Sequence, residues 1–278
     1  FQTYIKKLRR ENNTMRIWII GGTKDSRNIL DEILKMKDKK IIISTATEYG
    51  GKLLENVAKN DNVEVISERL NVLQIEDMIL EKNIDLIVDA SHPYAQNISS
   101  TVISMVSYLN ERANQEKKVK YIRFERKMVD YGNENVFKFQ NLQEVIKYLQ
   151  QFENKNVLST LGSNTLAEIN EISNKNNLFV RILPTTSSIK SAEELGYLPK
   201  NIIAMQGPFS KNMNIVMLQD LKIDYLITKE SGETGGELQK VEACQECGVT
   251  ILAIKRPVLD YGTVFNTIEE LTEYLVKL

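Results

Sequence analysis

From Met15 onward the sequence alternates short, β-branched apolar runs with longer amphipathic stretches, and this rhythm limits the fold more than any other feature. Arg16 to Ile20 precedes the helical pattern of Asn28 to Met36, Ile41 to Thr45 precedes Lys52 to Ala58, and Val63 to Ile66 precedes Val72 to Glu81. Leu86 to Val88 then leads into Ala95 to Arg112, and Val119 to Arg123 closes the series. Runs such as Ile17 to Ile20 are too apolar for strands with one wet face. Strands separated by helices need crossover connections, and right-handed crossovers give a parallel sheet covered on both faces.

The charged, aperiodic stretch Arg126 to Asn135, with Tyr131-Gly132-Asn133 inside it, marks a domain junction. The pattern then restarts. Strands are expected at Val136 to Phe139, Val157 to Thr160, Phe179 to Leu183, Ile202 to Met205, Tyr225 to Thr228 and Thr250 to Ile254, and a last helix from Ile268 to Val276 behind Thr267 as its cap. The expectation is therefore an α/β protein of two Rossmann-like three-layer lobes with parallel sheets, residues 15–125 and 126–278, and a ligand site in an interdomain cleft. Residues 1–14 are basic and polar and precede Met15; they read as an upstream extension or an expression remnant.

A chain of 278 residues exceeds the usual size of one hydrophobic core, which fits the two-lobe reading. Net charge is -1, so no global field draws in nucleic acid or a membrane surface, and an anionic ligand has to be recognised locally. No apolar run is long enough to span a bilayer. Two cysteines cannot make a disulfide framework, and a reducing cytoplasm is the simplest location. Cys244 and Cys247 have the spacing of a redox or zinc pair but sit in a helical pattern without a second pair or a nearby histidine, so no metal is assigned to them.

Ligands of open α/β sheets bind at the carboxyl ends of the strands, and that is where the chemistry-bearing segments lie. Gly21-Gly22-Thr23-Lys24-Asp25-Ser26-Arg27 follows the first strand: the glycines permit a tight turn, and Thr23, Asp25 and Ser26 can cap the next helix. The third glycine of a dinucleotide fingerprint is missing. Asp89-Ala90-Ser91-His92-Pro93-Tyr94-Ala95 follows the fourth strand and holds the only histidine, either a proton-transfer group or a ring that bonds a backbone carbonyl. In the second half Leu161-Gly162-Ser163-Asn164, Gln206-Gly207-Pro208-Phe209-Ser210 and Lys229-Glu230-Ser231-Gly232-Glu233-Thr234-Gly235-Gly236 each follow an expected strand. Small residues there let backbone N–H groups approach a ligand, and Lys229 offers a charge to phosphate or carboxylate. Glu230, Glu233 and Glu237 read either as acid/base carboxylates or as caps. Arg123, Arg126 and Lys127 form a basic cluster, either solvated or facing a carboxylate.

GGTKDSR, DASHPYA, RFERK, LGSN, RILPT, MQGPFS, ITKESGETGG and IKRP occur in one order from Met15 to the C-terminus, and as an ordered set they make the chain resemble the precorrin-6A reductase family of cobalamin biosynthesis, its cobalt-precorrin-6A reductases included. That resemblance implies an oxidoreductase that uses NADH or NADPH to reduce one ring double bond of precorrin-6A or cobalt-precorrin-6A, giving the 6B product. It implies a small-molecule tetrapyrrole as the partner, no nucleic acid and no membrane, and a monomer or weak oligomer. Under it, Gly162, Ser163, Gly207, Pro208, Phe209, Lys229, Ser231, Gly232 and Gly235 are expected at the cofactor, and Gly22, Thr23, Asp25, Ser26, Ser91, Arg123 and Arg126 at the substrate. His92 and Tyr94 are the catalytic candidates, with solvent as the alternative proton source. Two competing readings are a Rossmann dehydrogenase of nucleotide sugars, for which a fuller glycine fingerprint and a catalytic Tyr-x-x-x-Lys pair are expected, and a sensor that binds the same ligands without turnover.

Overall fold

The computed structural model describes residues 14–112, 118–132 and 135–278. Apart from Thr14, the extension expected at residues 1–14 lies outside them, as do Asn133 and Glu134 of the expected junction. Two compact units are present: one runs up to Arg126 and takes in Val258–Leu278, the other is Lys127–Pro257.

In the first unit the order is β1 (Met15–Ile20), α1 (Lys24–Leu34), β2 (Lys39–Ser44), α2 (Glu48–Lys52), β3 (Val63–Ile66), α3 (Val72–Glu81), β4 (Leu86–Asp89), α4 (Gln96–Arg112) and β5 (Lys120–Phe124). The second unit contains β6 (Val136–Phe139), α5 (Leu142–Leu149), β7 (Asn156–Ser159), α6 (Leu166–Ile169), β8 (Asn177–Ile182), α7 (Thr186–Glu194), β9 (Ile202–Ala204), α8 (Lys211–Asp220), β10 (Tyr225–Lys229), α9 (Glu237–Cys247) and β11 (Thr250–Ile254). β12 (Thr263–Phe265) and α10 (Ile268–Val276) then return to the first.

The apolar runs of the first unit become strands buried on both faces. Ile17 and Ile19 of β1 pack into one core with Ile41, Ile43, Leu86 and Val88, while the alternate residues Trp18, Ile42 and Ile87 enter a second core on the opposite face. A period of two residues thus feeds two cores, each fully buried large side chain contributing roughly 1.5–3 kcal/mol. The sheet order is β12-β5-β4-β1-β2-β3, and every pairing is parallel.

The second sheet has the order β6-β11-β10-β7-β8-β9, again parallel throughout. Leu158, Leu226, Ile251 and Ala253 form one core with Val241, Ala243 and Cys244 of α9. Both orders reverse direction between the same two positions. In open α/β sheets such a reversal, here between β1 and β4 in one sheet and between β7 and β10 in the other, is where ligands bind at the carboxyl edge.

Two expectations need correction. The second lobe does not run to residue 278: β12 pairs with β5, Thr263 beside Ile122 and Phe265 beside Phe124, and Leu271 and Leu275 of α10 fill the first core. A strand pattern states that a segment pairs but not with which sheet, and three residues carry no periodicity. The helix expected at Lys52 to Ala58 is replaced by α2 and a 3-10 turn at Val57–Lys59. The Thr47 side chain accepts from Gly50 N and starts the helix early, and within the expected stretch Leu54 is buried while Leu53 is exposed.

Candidate active site

At the carboxyl edge of the first sheet Thr23 and Ser26 form a reciprocal capping box at the start of α1, with Ser26 N donating to Thr23 Oγ1 at 3.0 Å and Thr23 N to Ser26 Oγ at 3.2 Å. The Thr23 hydroxyl also donates to the Ala90 carbonyl at 2.8 Å, which joins the loop after β1 to the loop after β4. Gly21 lies so close to β2 that an added Cβ would stand 2.9 Å from the Ser44 carbonyl oxygen. Gly22, at φ +97°, is exposed and makes the turn. Asp25 is buried and ion-pairs with Arg126, so the acidic group of the helix start is neutralised from the end of β5.

Beneath the loop after β4 lies a charge network absent from the sequence reading. Asp89 is wholly buried and accepts from Ser91 N at 3.0 Å, Ser99 Oγ at 2.6 Å, Tyr121 OH at 2.6 Å and Arg123 Nη1 at 2.7 Å. Arg123 is equally buried, donating also to Ser91 Oγ at 2.9 Å and to Glu125, with the Tyr261 ring 4.9 Å from its guanidinium carbon. Burial pulls the Arg123 pKa down, but Asp89 and Glu125 more than reverse this and leave it above the ordinary value. Burial and the Asp89 charge push the Tyr121 hydroxyl well up, so it stays a proton donor to that carboxylate. Arg123, expected at the substrate, is instead committed to two protein carboxylates under the surface. It positions Ser91 rather than reaching out.

The segment so anchored carries His92 and Tyr94 outward. His92 is exposed, Tyr94 half-buried, and their rings lie 5.8 Å apart. Tyr94 N donates to His92 Nδ1 at 3.3 Å and Ala95 N to the His92 carbonyl at 2.7 Å, so the imidazole is held in a turn through Nδ1.

At the carboxyl edge of the second sheet Gly162 adopts φ +83° and opens a 3-10 turn whose Ser163 Oγ accepts from Ser188 Oγ at 3.1 Å, tying the β7 loop to the start of α7. Lys229 ends β10; burial lowers its pKa and Glu168, after the β7 loop, opposes the shift. Glu230 is buried and paired with Lys138 Nζ at 2.9 Å while accepting from Arg256 N at 2.9 Å. Glu237 accepts from Tyr131 OH and from Gly232 N, which holds the loop containing buried Ser231 and Gly232. Those two glutamates are thus spent on structure. Gly235 is exposed on the same loop.

Although β9 is an edge strand, its loop folds back. A Cβ added to Gly236, at φ +71°, would meet Pro208 Cβ at 2.9 Å, and Phe209 lies over Arg181 of β8 with 4.4 Å between ring centre and guanidinium carbon. Exposed Gly207 and Pro208, joined by a cis peptide, therefore stand beside the β10 loop. Arg181 and Lys240 are two further buried cations here that sequence reasoning missed; Arg181 was visible only as a charge inside the apolar run Phe179 to Leu183. Cys244 is a buried helix residue whose thiol burial pushes up to about 12. Among the described residues no cluster of three or more His, Cys, Asp or Glu could hold a metal ion, and no helix is long and apolar enough to cross a membrane.

The sequence pattern described as Precorrin-6x reductase CbiJ/CobK matches residues 16–276. The chain belongs to this family. It is 38% identical over 263 residues to the cobalt-precorrin-6A reductase of Methanococcus maripaludis, covering 94% of this chain and 99% of that one. With the cobalt-precorrin-6A reductase of Methanocaldococcus jannaschii it shares 35% identity over 265 residues, 95% of this chain and 99% of the relative. The solved structure of CobK precorrin-6A reductase superposes with a TM-score of 0.75 at 18% identity, over 95% of this chain and 96% of that one, which supports the fold. As a member of the precorrin-6x reductase family the chain is an oxidoreductase of cobalamin biosynthesis.

Proposed function

We propose that this precorrin-6x reductase family member reduces one ring double bond of cobalt-precorrin-6A, or of its metal-free counterpart, with NADH or NADPH in the cytoplasm. The observation that carries the reading is the end-to-end match to the two archaeal enzymes of that activity. The geometry agrees with it. Each sheet reverses its strand order once, the position at which open α/β sheets bind ligands, and the reading is supported in the second by a positive-φ glycine opening the β7 loop, a glycine at Gly236 where a side chain would strike Pro208, and Lys229 at the strand end.

When bound, the reduced nicotinamide supplies a hydride to one carbon of the macrocycle. The chain's own residues hold and orient. Gly162, Ser163, Gly207, Pro208, Phe209, Ser231, Gly232 and Gly235 are assigned to the dinucleotide, with Lys229 as a cation for one of its phosphates. Gly22 and the edge formed by Thr23, Ser26 and Ser91 are assigned to the tetrapyrrole; Asp25 with Arg126, and Arg123 with Asp89, set the shape of that edge. His92, exposed and accepting at Nδ1, is assigned to hold a proton at Nε2 for the neighbouring ring carbon, with Tyr94 beside it. Placement of reactants can lower a barrier by about 7–11 kcal/mol, so a rigid loop under His92 serves the chemistry directly.

The test is anaerobic incubation of the protein with cobalt-precorrin-6A and each nicotinamide while the absorbance of the reduced cofactor is followed. Oxidation in step with macrocycle loss is expected. A cofactor that stays reduced throughout would mean a binding protein without turnover, and oxidation by nucleotide-sugar substrates instead would overturn the substrate assignment.

A further inference from the structure

Lys240 lies in the first turns of α9, a helix that starts at left-handed Gly236 with no side-chain cap. Its ammonium makes a 2.8 Å hydrogen bond to Thr228 Oγ1 of β10, which occupies one of three donors. Arg181 of β8 lies close enough for its charge to act on Lys240, and its hydrogen bonds all leave from Nη1, to Asn214 Oδ1 at 2.9 Å and Met217 Sδ at 3.6 Å. Both residues are more than nine-tenths buried, and neither makes an ion pair among the described residues. Glu237, an acid whose charge acts on Lys240, has its oxygens on Tyr131 and Gly232. The other Arg181 nitrogens are not sealed in, since among the described residues Arg256 Nη2 is the one buried side-chain nitrogen without a partner.

Two like charges brought together out of water, at the positive end of a helix, repel each other and have lost hydration. An anion beside them converts both penalties into attraction. Two cations, one of them in the uncapped first turn of α9, suit a tetrahedral oxyanion with several acceptor oxygens better than a planar carboxylate. We propose that Arg181 and Lys240 form a buried phosphate-binding site, which on the function proposed above takes the pyrophosphate of the nicotinamide dinucleotide. Phe209, stacked on Arg181 from an otherwise exposed loop, covers the site and moves with its occupancy. Burial, then the Arg181 charge, push the Lys240 pKa down to about 8, with Glu237 and Cys244 opposing. The protonated form is the one that binds an anion.

Calorimetric titration of the full chain with NADH, inorganic pyrophosphate and succinate, at pH 7 and pH 9, tests this. Wild-type protein is expected to bind NADH and pyrophosphate, to ignore succinate, and to bind more weakly at pH 9 with proton uptake on binding. Lys240→Met should weaken both phosphate ligands about tenfold or more and abolish the proton uptake, while Lys240→Arg restores affinity but not the uptake. Equal affinity of wild type and Lys240→Met for both ligands overturns the site while leaving the reductase reading intact if turnover persists. Succinate binding as tightly as pyrophosphate overturns the phosphate assignment. If wild type binds no dinucleotide and leaves the nicotinamide reduced, both the site and the function fall.

Discussion

Lys240→Met should make the protein more stable at neutral pH, even as it impairs binding. The ammonium is buried and its pKa falls from the ordinary 10.5 to about 8. A shift of this size corresponds to a ceiling of roughly 3 kcal/mol of native-state destabilisation at pH 7, at 1.36 kcal/mol per unit. Methionine occupies a similar volume without charge, and the lost hydrogen bond to Thr228 returns about 1 kcal/mol of the gain. The expected net stabilisation is therefore roughly 1–2 kcal/mol. Its pH dependence has a definite sign: below about 8 both folded and unfolded chains carry the charge and the penalty is complete, whereas between about 8 and 10.5 the folded chain sheds the proton first and wild type gains on the variant. Urea unfolding of both proteins from pH 7 to pH 10 measures this difference. A gap that does not shrink with rising pH, or a variant less stable at pH 7, would refute the claim that the ammonium is held against its own hydration.

Asp89→Ala should cost about 3–5 kcal/mol in urea unfolding, because Arg123 remains buried with only Glu125 opposite it; a loss below ~1 kcal/mol would dismiss the network as the anchor of the His92 loop. Lys229→Ala should weaken dinucleotide binding by about 1.5–3 kcal/mol in calorimetry, and an unchanged Kd removes that side chain from the site. His92→Asn is expected to lower kcat more than the affinity for either ligand; equal losses in both would make it a positioning residue instead.

The central strands were legible because their apolar runs had one physical cause. β11 falls where the sequence placed it because a segment buried on both faces must be apolar throughout, while β3 and β6, edge strands with Glu64, Phe137 and Lys138 exposed, were marked by their β-branched and aromatic residues. β12 was not, because Thr263 to Phe265 is short, two of its side chains are exposed, and pairing with β5 is decided by geometry spread across the chain. At the site, the glycine turns and His92 showed themselves through local backbone needs. The partners of Arg123 could not: Asp89 is 34 residues away and looked like the end of a strand, and nothing in RFERK says that its first arginine points inward. Arg181 and Lys240 stayed hidden for the same reason, since a buried cation is defined by what surrounds it rather than by its neighbours in sequence.

The chain leaves the first unit after Arg126 and comes back only at Val258. Glu125 donates its backbone N–H to Phe265 at 2.9 Å and accepts from Asn266 at 2.8 Å across 141 residues of chain, and Tyr261 arrives on the same return. During synthesis the unit begun first is therefore finished last. A ribosome that stalls beyond Pro257 releases a product whose β5 edge is bare and whose Arg123 lacks its aromatic cover, an unpaired edge of the kind that aggregates or draws chaperones. The return segment makes completion of the later unit's translation a condition for sealing the earlier one.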